Sequence, residues 1–548
     1  MNPHHIESVV LDGQYNIGHI CTRQQCVQGR DLKIAFRYIS PTLEREDFTF
    51  AQLDAESNRY ANLLQRIGIK PGQIVATFLP KLPDQFFAFL GILKIQAVVC
   101  TLFYIFGEDA LLDRLSDSQA VCLITKTSLL RKIQPIRAKL PHLRYILLVD
   151  AENHLSSDVL SLLVLKAQAS SSFEADLTSP ETPSVLHYTS GSTGKPKGVQ
   201  HVHRSVLSLS QTGRELLGLQ PDDIFWCTAD QGWVTGTSYG IIAPWSLGVR
   251  QVHFGGIYDA EKWLTLLERE EVSVWYSAPT ALRMLTRENP ELFTRFQLPA
   301  LRHIYSVGEP LNPEIINWGG RVLKHIIYDT WFQTETGAIM ISNRPGLPVK
   351  PGSMGQPVSG VEACILDEQG KPSPAGKQGN LCLKPGWPSM FVTYINNATA
   401  YQKKFRHGYY YTGDMAYRDI NGYFWFTGRS DDVINTAGHL VSPFEVESCL
   451  LELPEITESG VIGAPDELLF EKVVAFISLK TGVDWSKELE LKIRLHVSNR
   501  VSPAATPQDF RVVTVIPKNR SGKIMRRVLR AWYAENDPGD LSTMESKE

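Results

Sequence analysis

The chain has 548 residues, of which 43% are hydrophobic and 21% charged, with 55 Lys and Arg against 58 Asp and Glu. This length exceeds that of one hydrophobic core, so at least two domains are expected in an ordinary globular protein. The near-neutral charge and the absence of a basic stripe or polybasic segment argue against nucleic-acid and membrane partners.

The first part of the chain alternates helical and strand patterns. Residues 50–67 carry apolar side chains at helical spacing, and residues 74–78 form a short β-branched run. Similar apolar runs follow at 144–149, 185–188, 272–276 and 303–307. This rhythm predicts an α/β fold, in which two βαβ-type layered subdomains have largely parallel sheets covered by helices.

Residues 86–107 are almost wholly apolar and imitate a membrane span. The pattern breaks at Gln96, and the pair Val98-Val99 has strand character. A helix at 85–95 followed by a buried strand at 97–102 explains the segment better.

The pattern changes at about residue 353, where short strands and Gly/Asn/Asp turns begin. We expect an N-terminal domain over 1–430, with a small β-barrel-like part at 353–428. Residues 431–535 alternate strands and helices and predict a small, mobile α+β C-terminal domain. The polar residues 536–548 are expected to be disordered.

The cysteines and the N-terminus indicate the compartment. Eight cysteines are dispersed without a CxxC pair, and they are interpreted as reduced packing thiols. The N-terminus lacks the basic-then-apolar pattern of a secretory signal. Both observations predict a cytoplasmic location.

Residues 188–198 read Tyr-Thr-Ser-Gly-Ser-Thr-Gly-Lys-Pro-Lys-Gly and are the most informative segment. Glycines allow several backbone N–H groups to surround one anion, hydroxyls donate to phosphate oxygens, and Lys195 and Lys197 neutralise charge. A Walker A loop is excluded, because Gly191 and Gly194 are too close in sequence and Lys195 is followed by proline and not by Ser or Thr. The alternative is a Gly/Ser turn after a strand.

A second motif combines Gly308-Glu309-Pro310 with the polar string at 328–337. Carboxylate oxygens are the hard ligands that Mg²⁺ prefers, and Glu335 lies between two threonines. Glu335 is therefore the Mg²⁺ candidate; the alternative is a solvated glutamate in a turn.

Two further motifs lie toward the C-terminus. Asp414 is placed to accept hydrogen bonds from the vicinal hydroxyls of a ribose, and Arg429 offers a forked donor. Either residue could instead form half of a surface salt bridge. Lys523 follows Ser-Gly in a basic segment, where a flexible turn could carry one ammonium into a distant cleft; the rival interpretation is a nuclear-localisation or nucleic-acid patch.

These four motifs, in this order, resemble those of the adenylate-forming superfamily of acyl-CoA synthetases, luciferases and adenylation domains across nearly the whole chain. The similarity is closest to the short microbial type of AMP-forming acetyl-CoA synthetase. Strings beginning at Trp226, Lys350, Gly386 and Gly539 strengthen that choice.

The resemblance implies a ligase that uses ATP and Mg²⁺ to convert a short-chain carboxylic acid to acyl-AMP and pyrophosphate, and then transfers the acyl group to CoA. It implies that Thr189, Lys195 and Lys523 are catalytic and that Lys523 bridges the acid and the α-phosphate. It assigns the phosphate loop to Ser190, Gly191, Ser192, Thr193 and Gly194, adenine to Gly308, Glu309, Pro310, Asp329, Thr330, Trp331, Phe332, Gln333 and Thr334, and Mg²⁺ to Glu335. It also assigns the ribose to Asp414 and Arg429, the hinge to Asp431, and the thiol-tunnel loop to Ala437 and Gly438.

By the same resemblance, the acyl pocket is lined by Val234, Thr235, Val307 and Phe332. Acetate-restricted relatives place tryptophan where Phe332 stands. A smaller ring predicts that acetate and propionate are accepted and fatty chains are excluded, with a graded preference of about 1–3 kcal/mol per methylene.

The sequence departs from the acetate enzymes at three positions. Leu440 stands where many relatives have a nucleotide-contacting arginine, and Phe470 replaces a glycine. Ser498 stands where acetate enzymes have an arginine for the CoA phosphate, although Arg500 is nearby. Two alternatives therefore stay open: an enzyme that loads a carrier-protein phosphopantetheine, and a non-catalytic nucleotide-binding protein of the same fold. Lys523 is also a candidate target of a protein acyltransferase and deacylase, and the sequence leaves the oligomeric state open.

Overall fold

The computed structural model describes residues 9–189, 196–430, 432–436, 439–519, 522–538, 541 and 544. Within these residues, a nine-stranded sheet runs parallel through its centre and antiparallel at both edges. Its strands, in spatial order, are Gln356–Pro357, Ile341–Ser342, Ile327–Trp331, His303–Ser306, Val274–Ser277, Ile224–Cys227, Arg250–Phe254, Ile34–Ile39 and Arg45–Thr49. The parallel centre places several strand ends at one edge.

A second sheet is also mostly parallel. Its eight strands, in order, are Thr393–Tyr394, Lys197–Val202, Pro183–Thr189, Val98–Thr101, Ile74–Phe78, Cys122–Thr125, Tyr145–Leu148 and Val159–Ser161. Two antiparallel pairings, of Pro183–Thr189 with Lys197–Val202 and of Lys197–Val202 with Thr393–Tyr394, close one edge. Strands Pro183–Thr189 and Lys197–Val202 are thus neighbours both in the sequence and in this sheet.

Helices cover both faces of these sheets. The α-helices are Ile17–Ile20, Arg23–Gln25, Phe50–Arg66, Pro83–Lys94, Glu108–Ser118, Thr127–Leu130, Leu162–Ala167, Ser205–Glu215, Val234–Thr237, Ala243–Ser246, Ala260–Arg269, Pro279–Thr286, Pro290–Thr294, Pro313–Trp318, Ala398–Gln402, Pro443–Leu450, Lys487–Arg500 and Arg526–Tyr533. Short 3₁₀ or π helices lie at Gln134–Lys139, Cys26–Arg30, Ser238–Ile242 and Gly319–Leu323.

Strand alternation explains the layers. In the strand Ile74–Phe78, Val75 joins an apolar cluster shared with the nine-stranded sheet, whereas Ala76 and Phe78 join a separate cluster on the opposite face. Successive side chains of a strand point to opposite faces, so each sheet is buried on both sides. Helix Pro83–Lys94 is buried along most of its length in the shared cluster.

The apolar segment at 86–107 therefore forms a helix and a strand, as expected. In the described part of the chain, no helix combines the length and the apolar character needed to cross a bilayer.

A third sheet is antiparallel and contains Ala363–Leu366, Gly379–Leu383, Tyr409–Arg418, Phe405–Arg406 and Phe424–Arg429. A fourth contains His439–Val441, Ile434–Thr436, Phe470–Leu479 and Ile456–Asp466, with Asp509–Val512 added in parallel. Helices Pro443–Leu450 and Lys487–Arg500 cover one face of the fourth sheet, and Arg526–Tyr533 covers the other.

The predicted fold class is confirmed: two α/β layers, a small antiparallel sheet and a small α+β unit follow in the expected order. The domain boundaries at 353, 428, 431 and 535 stay predictions. The expected hinge, Asp431, lies outside the described residues, as does most of the tail that was expected to be disordered.

Candidate active site

A cleft of about 1090 Å³ lies where several parallel strands of the nine-stranded sheet end. Strand His303–Ser306 runs into residues 307–310, and strand Ile327–Trp331 runs into residues 332–335; both segments line the cleft. The crevice beyond the carboxyl ends of parallel strands is where α/β proteins bind ligands. Gly522 and Lys523 line it from the C-terminal side.

Asp414 is held by three side-chain donors from two segments. Its Oδ2 accepts from Trp331 Nε1 at 3.1 Å and from Gln333 Nε2 at 3.0 Å, and its Oδ1 lies 3.1 Å from an Arg429 guanidinium nitrogen. Asp414 and Arg429 are register partners on neighbouring strands, which explains their closeness despite the sequence gap. The carboxylate is only 4% exposed, but both partners line the cleft. The pair is therefore built into the cleft wall and is not a surface salt bridge.

Asp329 is a buried acid at the same edge. Among the described residues, no group donates to its Oδ1, and the side chain is 5% exposed. Burial raises the pKa of Asp329 well above its ordinary value. An unpartnered buried oxygen in a cleft wall needs a ligand, a proton or a water, and so it fits a donor-bearing ligand such as a purine base.

Glu309, expected beside adenine, is engaged by protein groups. The hydroxyl of Thr280 donates to its Oε1, and the Arg283 guanidinium lies 3.7 Å from its Oε2. Both partners line the cleft. The remaining predicted adenine residues, Gly308, Pro310, Thr330, Trp331, Phe332, Gln333 and Thr334, also line it.

Glu335 meets the requirements of a Mg²⁺ ligand in its donor chemistry. Its Oε1 accepts from the Tyr394 hydroxyl at 2.7 Å, and among the described residues no donor meets Oε2. One oriented carboxylate oxygen facing a cleft is the usual protein contribution to a Mg²⁺ site, because phosphates and water complete the octahedron. Burial, and then the Glu335 charge, raise the pKa of Tyr394, so the phenol stays a donor.

Cations line the cleft around these carboxylates. Lys197, Lys404, Arg429 and Lys523 all contribute to its walls. Burial lowers the pKa of Lys404, whose Nζ donates to the Thr412 carbonyl at 3.2 Å. A cleft with several cations and with carboxylates suits a polyanion accompanied by a divalent cation.

The residues expected around the acyl group are together in the structure. Val234, Thr235, Val307 and Phe332 all line the cleft, and Thr235 and Val307 are buried. The Phe332 ring packs edge-on against Tyr239, with centroids 5.6 Å apart.

Lys523 lies in a turn that is closed by hydrogen bonds between the Lys523 backbone and Asn519. Its N–H donates to Asn519 Oδ1 at 2.9 Å, and its carbonyl accepts from Asn519 N at 2.8 Å. The side chain is exposed within the cleft, where surrounding protein atoms and then the nearby Arg429 charge lower the pKa of Lys523.

Gly522 fixes how this turn docks. It has a φ of +86°, and a Cβ built there would lie 1.8 Å from Thr280 Oγ1 and 2.5 Å from Glu309 Oε1. Only glycine fits so close an approach in this backbone conformation. Arg287, 3.5 Å from Glu458, and Asn312, which donates to Ser448 at 3.0 Å, support the same contact.

Part of the expected site lies outside the described residues. This holds for Ser190, Gly191, Ser192, Thr193, Gly194 and Lys195 of the expected phosphate loop, and for Ala437 and Gly438. Thr189 ends strand Pro183–Thr189 and lines the cleft. Arg500, considered a substitute for the missing CoA-contacting arginine, instead forms two hydrogen bonds with Glu452.

Several cleft residues were not found from the sequence. Thr280, Tyr394 and Lys404 carry no motif of their own, and each reaches the cleft through pairing with another segment. For Tyr394 and Lys404, the only available signal was the high density of Tyr and Lys residues at 394–411; Thr280 had none.

Comparison with known proteins identifies two family matches. Residues 23–394 match the AMP-binding enzyme family, and residues 445–523 match the AMP-binding enzyme C-terminal domain. Acetyl-coenzyme A synthetase of Bacillus subtilis is 45% identical over 97% of this chain and 93% of its own length. Acetyl-coenzyme A synthetase of Pyrobaculum aerophilum is 36% identical, over 98% of this chain and 86% of its own.

Solved structures show the same fold. An anthranilate CoA ligase in complex with anthranoyl-AMP superposes with a TM-score of 0.87 at 31% identity, over 95% of this chain and 98% of that chain. An acyl-CoA synthetase from Brucella canis has a TM-score of 0.76 at 32% identity, over 98% of each chain.

Proposed function

The chain belongs to the AMP-binding enzyme family, and on that premise we propose that it is an AMP-forming ligase that joins a short-chain carboxylic acid to CoA. The main support is the pairing of an ammonium from the C-terminal unit, Lys523, with a cleft that contains Glu335, Asp414 and Arg429. Neither the carrier-loading alternative nor the non-catalytic one is favoured by the relatives.

The first half-reaction requires two anions to meet. A carboxylate oxygen bonds to the α-phosphorus of ATP, and the bond from that phosphorus to pyrophosphate breaks. Two like unit charges about 4 Å apart repel by on the order of 4 kcal/mol at an effective dielectric of 20. Lys523 and the other cleft cations offset this repulsion when they face the reacting groups. In the second half-reaction the CoA thiol attacks the acyl carbon, AMP leaves, and the thiol proton passes to solvent.

The cleft walls supply the positioning. Asp414, already oriented by Trp331 and Gln333, would accept from the ribose hydroxyls, and the unpartnered oxygen of Asp329 would accept from the base. Glu335 would hold Mg²⁺, which when bound neutralises phosphate charge.

The acyl-binding residues favour a short acid. Phe332 and Val307 narrow the pocket, and each added methylene that does not fit changes discrimination by about 1–3 kcal/mol. We expect acetate and propionate to react best. Steady-state kinetics over C2–C8 acids measure this, and an optimum at C8 would contradict it.

The decisive experiment separates binding from chemistry. Lys523→Ala should lower acid-dependent pyrophosphate release by about 100-fold or more, because one charge-stabilising group is lost. ATP binding, measured by calorimetry, should stay within about threefold, since the ribose and base contacts remain. Lys480→Ala is the matched control, because Lys480 is exposed on the same unit and does not line the cleft.

Two outcomes would contradict the assignment. Full pyrophosphate release from the Lys523 variant would remove the residue from the reaction, and lost ATP binding would make it a nucleotide-binding residue.

Acylation of the Lys523 amine removes the same charge, so it should reproduce the Ala phenotype if an acyltransferase modifies this exposed side chain.

A further inference from the structure

Three metal-ligating side chains meet on the C-terminal unit, away from the cleft. The Cys449 thiol, the Glu452 carboxylate and the His496 imidazole have ligand atoms that all lie within 4.8 Å of one another. None of the three lines the cleft. They belong to two packed segments: Cys449 lies in the last turn of helix Pro443–Leu450, Glu452 follows that helix, and His496 lies in helix Lys487–Arg500.

The scaffold under this cluster is a packed apolar core. Leu450, Leu453, Ile493 and Val497 are buried in one apolar cluster with Cys449, so both helices are packed directly beneath the ligands. Cys449 is 4% exposed, whereas Glu452 faces solvent. The arrangement combines a fixed sulfur with a solvent route for an ion.

The ligand chemistry selects a borderline divalent cation. Thiolate and imidazole with one carboxylate are Zn²⁺ ligands, whereas Mg²⁺ and Ca²⁺ prefer oxygen alone. Zn–S bonds of about 2.3 Å and Zn–N or Zn–O bonds of about 2.0–2.2 Å place tetrahedral ligand atoms about 3.3–3.7 Å apart. His496 Nε2 lies 3.0 Å from Glu452 Oε2, and all three ligand atoms lie within 4.8 Å of one another, so small side-chain adjustments separate this arrangement from tetrahedral spacing.

Arg500 is the competitor for this site. Its guanidinium donates to Glu452 Oε2 at 3.1 Å and to Oε1 at 2.9 Å, and its side chain is 61% exposed. An ion pair between exposed groups contributes little to stability, so a metal can displace it at small cost.

We propose that Cys449, Glu452 and His496 bind Zn²⁺, with water as the fourth ligand, and that the ion links helix Pro443–Leu450 to helix Lys487–Arg500. The metal–sulfur bond replaces the S–H bond of Cys449, and the proton passes to solvent.

The test uses the reduced, full-length protein. Equilibrium dialysis against Zn²⁺ should show one more bound ion per chain in the wild type than in Cys449→Ser/His496→Gln. Substitution of any single ligand should weaken the binding of that ion by at least about 100-fold. Co²⁺ in place of Zn²⁺ should give a thiolate-to-metal absorption band that Cys449→Ser abolishes. Cys364→Ser, which alters a half-buried cysteine elsewhere, should leave the band intact.

Arg500→Met supplies a variant in which misfolding cannot imitate the expected result. Removal of the competing guanidinium should tighten Zn²⁺ binding by about two- to fivefold. Equal stoichiometry in the wild type and the double variant, absence of the thiolate band, or unchanged affinity in Arg500→Met would each overturn the proposal.

Discussion

At the scale of single residues, Phe470 has a strained backbone conformation that side-chain packing does not offset. It has a φ of +70° and is 71% exposed at the turn between strands Ile456–Asp466 and Phe470–Leu479. A β-carbon in the left-handed region costs roughly 1–2 kcal/mol. A ring this exposed buries little apolar surface and so stabilises the fold little.

Phe470→Gly should therefore stabilise the C-terminal unit. Relief of strain exceeds the entropy that glycine loses on folding, so the free energy of unfolding should rise by about 0.5–1 kcal/mol. Urea unfolding monitored within this unit measures the change. Phe470→Ala keeps the β-carbon and so the strain, and it should leave stability nearly unchanged; equal stabilisation by both variants would assign the effect to the ring.

Individual site residues were predictable only where they belong to motifs. The strings around Glu335, Asp414 and Lys523 indicated cleft residues, and the structure brings all three to one cleft. Lys404 and Tyr394 gave no such signal, because their place depends on which segments pair. The roles of all five stay predictions until variants are measured.

At the scale of elements, the turn that presents Lys523 has a strict steric requirement. Gly522 packs against Thr280 and Glu309 with no room for a side chain, and its φ is positive. Any larger residue must push the turn out of the cleft and carry Lys523 with it.

Gly522→Ala should lower acid-dependent pyrophosphate release by about 100-fold, because the ammonium no longer reaches the cleft. Transfer from preformed acetyl-AMP to CoA should persist, since it does not require this docking. Gly482→Ala separates strain from the clash: Gly482 has a φ of +85°, but a Cβ there has nothing within 4 Å. Similar losses of pyrophosphate release in both variants would attribute the effect to strain alone.

Element bounds were predictable where a short run of residues is continuously apolar. The strand at 74–78 coincides with Ile74–Phe78, because nearly every residue in it is buried. Strand Ile456–Asp466 is longer than its apolar stretch, since its polar ends continue as a two-stranded hairpin beyond the core. Hairpin length depends on the partner strand, which local sequence does not specify.

At the scale of the whole molecule, burial on both faces of two sheets explains why the layered fold could be predicted. Parallel strands covered on both sides produce short, continuous apolar runs, and the helices between them produce helical spacing. How the C-terminal unit docks could not be predicted, because it depends on few contacts, such as Arg287 with Glu458.

The same double burial encloses four histidines. His187, His201, His203 and His253 are all nearly inaccessible, and burial lowers the pKa of His201 to about 4 and of the other three to about 3. In the unfolded chain a histidine titrates near pH 6.5. Below that pH the unfolded state binds protons that the folded state does not bind. The free energy of unfolding therefore falls as the pH falls, until the pH reaches the pKa of the histidine in the folded state.

Each of these histidines should therefore cost about 1.4 kcal/mol of stability per pH unit once the unfolded state is protonated, roughly between pH 6 and pH 4. The urea midpoint measured from pH 7.5 to pH 5 should fall steeply below pH 6.5. His203→Gln should flatten the slope by about one proton and His203→Gln/His253→Gln by about two, whatever their effect at pH 7.5. His203 Nδ1 accepts from Ile17 N at 3.0 Å, so an offset in absolute stability is expected and the slope is the readout. An unchanged slope in both variants would mean that these rings titrate in the folded protein, which their enclosure between the sheets opposes.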